Sequence, residues 1–114
     1  MSPFDEFLDR TCTPPYPEGA CTVLRDRCLA GFELASAELL RIQHTFIRLP
    51  PTSAHRERLA RTTRAPSTVA MAFYDCYIAA SVYDDLPSAC AKLRAIRNKP
   101  VVHKIVPLLF TRGL

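Results

Sequence analysis

The sequence predicts an all-α fold: a small irregular helical bundle with one long helix, one nearly all-apolar helix, and proline-rich extended linkers and termini. Three observations carry this reading. The chain holds only three glycines among its 114 residues, and it lacks the strict apolar–polar alternation of strands, so hairpin-rich β architectures have neither their turns nor their pattern. Apolar residues instead recur every three or four positions. Ten prolines punctuate these periodic segments. A chain this short is expected to form a single helical domain over 1–114 with a thin stability margin.

The first unit, 1–19, is a short helix followed by a linker. Ser2 supplies a capping hydroxyl, Pro3 suits the first turn, and Asp5 and Glu6 sit near the positive end of the helix dipole. Phe4, Phe7 and Leu8 make the apolar face. Thr13-Pro14-Pro15-Tyr16-Pro17 reads as extended, because each proline restricts the residue before it. The second unit, 20–49, is the longest helix, with Phe32, Ala35, Leu39, Ile42, Phe46 and Leu49 forming a heptad seam. Leu24 and Cys28 join it through two successive steps of four, a stutter that locally unwinds any supercoil. Leu34, Leu40 and Ile47 lie off the seam and widen the apolar arc beyond what one neighbouring helix covers.

Pro50-Pro51 stops that helix, and 50–66 forms a basic connector. Within it, Thr52 or Ser53 caps a mostly polar helix through about Thr62, anchored by Leu59. Pro66 is expected to break the chain before Ser67 or Thr68 caps the fourth unit, 67–84. From Ser67 to Tyr83 this segment is apolar or small on every side, and Asp75 is its single formal charge. A helix of that kind belongs inside a large protein or a membrane. Counting from Ala65 the run is 19 residues, near the minimum for a span, but Asp75 near its centre would cost ~2.5–3.5 kcal/mol on insertion. Burial against protein is the favoured expectation. Phe73, Tyr74, Tyr77, Ile78 and Tyr83, together with Leu40 and Ile47, are therefore the expected interface.

The last unit, 85–114, begins with Asp85 or Ser88 as cap for a helix through about Asn98. Cys90, Leu93 and Ile96 face inward, and Lys92, Arg94 and Arg97 face out. After Pro100 one helical turn and then an extended arm are expected, because Lys104 and Pro107 interrupt the apolar run.

Charge is unevenly spread. Residues 1–47 carry a net −3 and residues 48–114 a net +7. Arg56, Arg58, Arg61 and Arg64 form one basic surface, and Lys92, Arg94, Arg97 and Lys99, with Lys104, a second. Such polarity suits an acidic protein surface, an anionic lipid or a nucleic acid. No aromatic residues are interleaved for base stacking.

No chemistry-bearing constellation accompanies these features. His44, His55 and His103 are scattered, and Cys12, Cys21 and Cys28 match no usual zinc spacing, so neither a metal nor another cofactor is expected. Cys21 near a helix start and Asp75 in an apolar setting lack a base, an oxyanion loop or a glycine-rich cradle. No small-molecule substrate is expected. Cys12 and Cys21 flank the proline linker and form the candidate disulfide in an oxidising compartment, whose loop closure would stabilise by ~2–3 kcal/mol. Cys28, Cys76 and Cys90 read as core.

The start lacks the basic and long apolar regions of a secretory signal and the Arg-rich look of an organellar presequence. The expected function is that of a non-catalytic structural or accessory subunit, an adaptor whose partners are other protein subunits of a larger assembly. A mitochondrial membrane-associated complex is the expected setting, with cytoplasm or nucleus as alternatives. A helical basic protein of a ribonucleoprotein is the alternative function.

Overall fold

The computed structural model describes residues 2–48 and 52–111. It is an all-α bundle of five helices in chain order, with no strand among the described residues: α1 Pro3–Thr11, α2 Ala20–Ile47, α3 Ser53–Ser81, α4 Leu86–Ala95 and α5 Pro100–Thr111. The expected stop at Pro50-Pro51 and the seam residue Leu49 lie outside the described residues.

Local chemistry starts three of the helices as the sequence implies. Ser2 Oγ accepts from the Asp5 amide at 3.1 Å and donates to the Asp5 carboxylate at 2.9 Å, closing the first turn of α1. Thr52 accepts from the His55 amide and caps α3. Asp85 accepts from the Ser88 amide at 3.1 Å and caps α4, with Pro87 in its first turn. Each bond satisfies an amide that has no partner inside its helix. Gly19, at φ +77°, turns the linker into α2. Asp84, at φ 54°, makes the bend between α3 and α4, a conformation that aspartate tolerates better than most residues.

Two prolines expected to end helices do not. Pro66 lies inside α3, so the basic connector and the apolar segment form one helix of 29 residues. Neither Ser67 nor Thr68 caps anything. Locally a proline in a helix interior costs ~3 kcal/mol, but the Pro66 ring is buried, and continuing the helix keeps α3 packed along α2. Pro107 lies within α5, which stays helical to Thr111 rather than becoming an extended arm. The reason is visible in its buried set: Val102, Ile105, Val106 and Leu109 follow the i, i+3, i+4, i+7 rhythm of a single apolar stripe. Pro107 falls on the exposed side.

α2 and α3 form an antiparallel hairpin and the largest helix–helix interface. Leu24, Cys28, Gly31, Ala35 and Ile42 are the buried stripe of α2, and Val69, Ala70, Phe73, Cys76 and Ala80 that of α3. The first four of these on α2 are spaced four, three and four apart: Gly31 rather than Phe32 takes the buried position after Cys28, so the expected stutter is absent and the line of contact with α3 keeps a regular heptad spacing. Cys28 and Cys76 are bonded across the interface. All five helices contribute to one hydrophobic core.

α1, α4 and α5 gather around only half of the hairpin. α5 lies against α2, where Arg27 donates to the Leu109 carbonyl at 3.0 Å and Lys104 meets Glu38 at 2.6 Å. Glu38 also takes two hydrogen bonds from Arg41. Bonding to Arg41 and then to Lys104 holds its carboxyl down to about 2, against an ordinary value of 4.5. A carboxyl depressed by folding stabilises the fold above its ordinary pKa and loses that contribution as pH falls through its folded pKa. Acid titration of stability should therefore show a loss between about pH 4.5 and pH 2 that Glu38→Gln removes. An unchanged acid limb in the variant would contradict this.

Beyond Ile42 on α2, and before Pro66 on α3, no described residue is buried. The far end of the hairpin is thus a two-helix arm, which gives the molecule its extents of 53 × 26 × 22 Å.

Candidate interaction surfaces

The arm and the flank that leads to it are the candidate functional region. On α2, Leu29, Phe32, Ser36, Leu40, Gln43 and Ile47 follow one another at steps of three and four. They form a second stripe, about a third of a turn around the helix from the buried one. Leu40 is 56% exposed and Ile47 78%. Tyr74 of α3 joins this flank, its ring 5.5 Å from that of Phe32, with the planes inclined at 52°. Ile78, one turn further on, is half-buried. α5 lies against the other flank of α2, where Leu34 packs on the core. Of the off-seam residues, Leu34 is therefore covered within the chain, and only Leu40 and Ile47 remain open.

The expected interface set thus divides. Leu40, Ile47, Tyr74 and Ile78 share the open flank. Tyr77 is half-buried and packs on the core. Phe73 is a correction: it is 1% exposed and points into the hairpin, because it occupies the centre of the α3 stripe that meets Gly31. Tyr83 is exposed but sits in the α3–α4 turn, at the opposite end of the hairpin from the arm. An apolar helix with no polar face does not reveal by pattern which arc its own chain will cover, and this is why Phe73 and its neighbour Tyr74 were not separable.

The basic residues divide as well. Arg56, Arg58, Arg61 and Arg64 are exposed on the arm, and at these spacings they spread over roughly half the circumference of the helix rather than line one strip. With Arg48 against Glu57, residues 43–65 of the arm carry a net +4. Lys92 of α4 and Lys99 of the α4–α5 connection stand across an open groove from Asp75, between Thr68 and Met71 of α3 and Ile96. Arg97 is exposed. Arg94 is a second correction: its guanidinium donates to the Cys12 carbonyl at 2.9 Å and to Thr13 Oγ1 at 3.3 Å. It ties α4 to the end of α1 instead of offering a free charge. Lys104, paired with Glu38, likewise belongs to the fold. Neither contact is visible in sequence, since the partners lie 82 and 66 residues away.

The cysteines are the third correction. The disulfide joins Cys28 to Cys76, and Cys12 and Cys21 are unbonded. Docking of α1 through Phe4 and Leu8 turns Cys12 inward, where its thiol hydrogen-bonds Cys90. Burial first, and then this bond, push the thiol well above its ordinary range. Cys21 turns instead to the α3–α4 bend: burial and then a hydrogen bond to Asp84 raise its pKa. The two flank one linker but face different neighbours.

Among the described residues no group of three histidines, cysteines or acids is placed to hold a metal ion, and no helix is long and apolar enough to cross a membrane. The fold and these surfaces define an all-α bundle built on a helical hairpin with one open flank. No protein family matches the chain, and no curated protein or solved structure matches it significantly.

Proposed function

We propose that the chain is a non-catalytic structural subunit or adaptor that docks a helical segment of another subunit along the open flank of the α2–α3 hairpin. The supporting observation is the stripe from Leu29 to Ile47 with Tyr74 beside it: helically periodic and mostly apolar, with Leu29, Leu40 and Ile47 exposed while the other helices gather on the opposite flank. A stripe of this period offers ridges and grooves that a helix fills. The +4 arm calls for acidic residues bordering the partner's apolar face, since complementary charge sets encounter rate and register. Such a protein fits a membrane-associated mitochondrial complex, and the Cys28–Cys76 bond favours an oxidising compartment of that organelle over a reducing one.

The arginines of the arm support a second reading, a ribonucleoprotein component that follows a phosphate backbone. Co-purification of variants from native cells, with and without nuclease, separates the two. Leu40→Asp and Ile47→Asp should each weaken assembly by about tenfold or more, because each places an unpaired charge in a desolvated contact. Their helicity should remain unchanged, as both positions are exposed. Arg97→Glu should have a small effect, in keeping with an exposed charge. Assembly that survives both aspartate variants but is lost on nuclease treatment or on Arg61→Glu/Arg64→Glu would overturn the adaptor reading in favour of nucleic acid.

A further inference from the structure

Cys12 and Cys90 are both buried, at 2% and 3% exposure, in the same core. They arrive there from opposite ends of the sequence: Cys12 ends α1, and Cys90 lies in the middle of α4. Arg94, one turn after Cys90, grips the carbonyl of Cys12 itself. The same face of α4 therefore carries Arg94, which holds the Cys12 backbone, and Cys90, which shares the buried cluster of Cys12. This register sets the two side chains in one buried cluster, at the junction that Arg94 bridges. The chain already carries one disulfide, between α2 and α3, so the conditions that form it act on this pair too.

We propose that Cys12 and Cys90 are a second disulfide site, an oxidative cross-link that staples α1 to α4 and leaves Cys21 as the single free thiol. The two thiols give up two protons and two electrons to a disulfide oxidant such as oxidised glutathione. One thiolate attacks the glutathione disulfide and releases one glutathione, and the other then displaces the second glutathione from the mixed disulfide. The products are one Cys12–Cys90 bond and two reduced glutathiones.

Both sulfurs are shielded in the packed fold, so the reaction belongs to the stage before α1 has docked. Afterwards the bond is protected from reductant. Because α1 enters the core through little more than Phe4, Leu8 and Cys12, it is the element that gains most from a covalent tie.

The test is refolding of the full reduced chain in a glutathione redox buffer, followed by denaturation without reductant, alkylation and peptide mapping. Trypsin alone is insufficient, since Cys12 and Cys21 share one tryptic peptide and Cys76 and Cys90 another. Additional cleavage after Glu18 and before Asp84 separates them. The expected result is a peptide containing Cys12 linked to one containing Cys90, the Cys28–Cys76 link intact, and alkylation at Cys21 only. Cys21→Ser should leave both links unchanged. Alkylation of both Cys12 and Cys90, or a link from Cys90 to Cys21, would overturn the proposal. Either result is read on the wild-type chain, so the proposal stays testable even if Cys12→Ser or Cys90→Ser fails to fold.

Discussion

Replacing Cys28 and Cys76 together by alanine should cost about 4 kcal/mol of folding stability. The bond closes a loop with a sequence separation of 48, and loop-closure entropy in the unfolded chain gives about that value at room temperature. Total stability of a domain this size is about 5–15 kcal/mol, so the variant should sit close to the threshold of folding. Both cysteines are fully buried between α2 and α3. Reductant should therefore act on the native protein only through unfolding, and then lower its denaturation midpoint. Denaturant titration with and without dithiothreitol measures this directly. Removal of the bond with a loss below about 1 kcal/mol would show that packing alone holds α2 against α3.

The second large effect belongs to Phe73 and Gly31. A Cβ added at Gly31 would lie 2.6 Å from Cδ1 and Cε1 of Phe73 and 2.7 Å from Cγ, well inside van der Waals contact. The ring is 1% exposed and has no space to retreat. Alanine normally gains about 1 kcal/mol over glycine within a helix. Here overpacking, worth about 1–3 kcal/mol, opposes that gain, and a clash this close should win, leaving Gly31→Ala less stable by about 1–2 kcal/mol. Phe73→Ala should cost more, about 3–5 kcal/mol, through the lost burial and the cavity it leaves. The two positions should also be coupled. Once the ring is gone the added methyl has room, so the double variant should be more stable than the two single losses predict. Unfolding midpoints of the four chains give the coupling, and additive losses would mean that the ring and the glycine are not the point of closest approach.

Much of the fold was legible because it is local. Ser2, Thr52 and Asp85 cap their helices by bonding an amide three residues on, and that chemistry needs no distant partner. Cys90, Leu93 and Ile96 repeat at helical spacing and face inward as the period requires. The class of the fold followed from the same short-range facts, few glycines and no alternation. The candidate surface was legible in part. Leu40 and Ile47 stand out as apolar residues too far around α2 for one neighbour to cover, and both are open.

The sequence by itself determined the all-α class, the capped first turns of α1, α3 and α4, and how the charge is divided along the chain. Only the tertiary structure decided which prolines a helix could absorb, which cysteines meet, and which arc of the apolar segment its own chain covers. Pro66 and Pro107 each carry a local cost that reads as a stop, yet packing along a neighbouring helix outweighs it. Cys28 found Cys76, Arg94 found Cys12, and Phe73 rather than Tyr74 found Gly31, through contacts between residues dozens of positions apart. A helical pattern sets the direction in which each side chain leaves its own axis. What stands in that direction depends on how the helices are arranged around one another, because close packing is a property of their shared interior and not of any one segment.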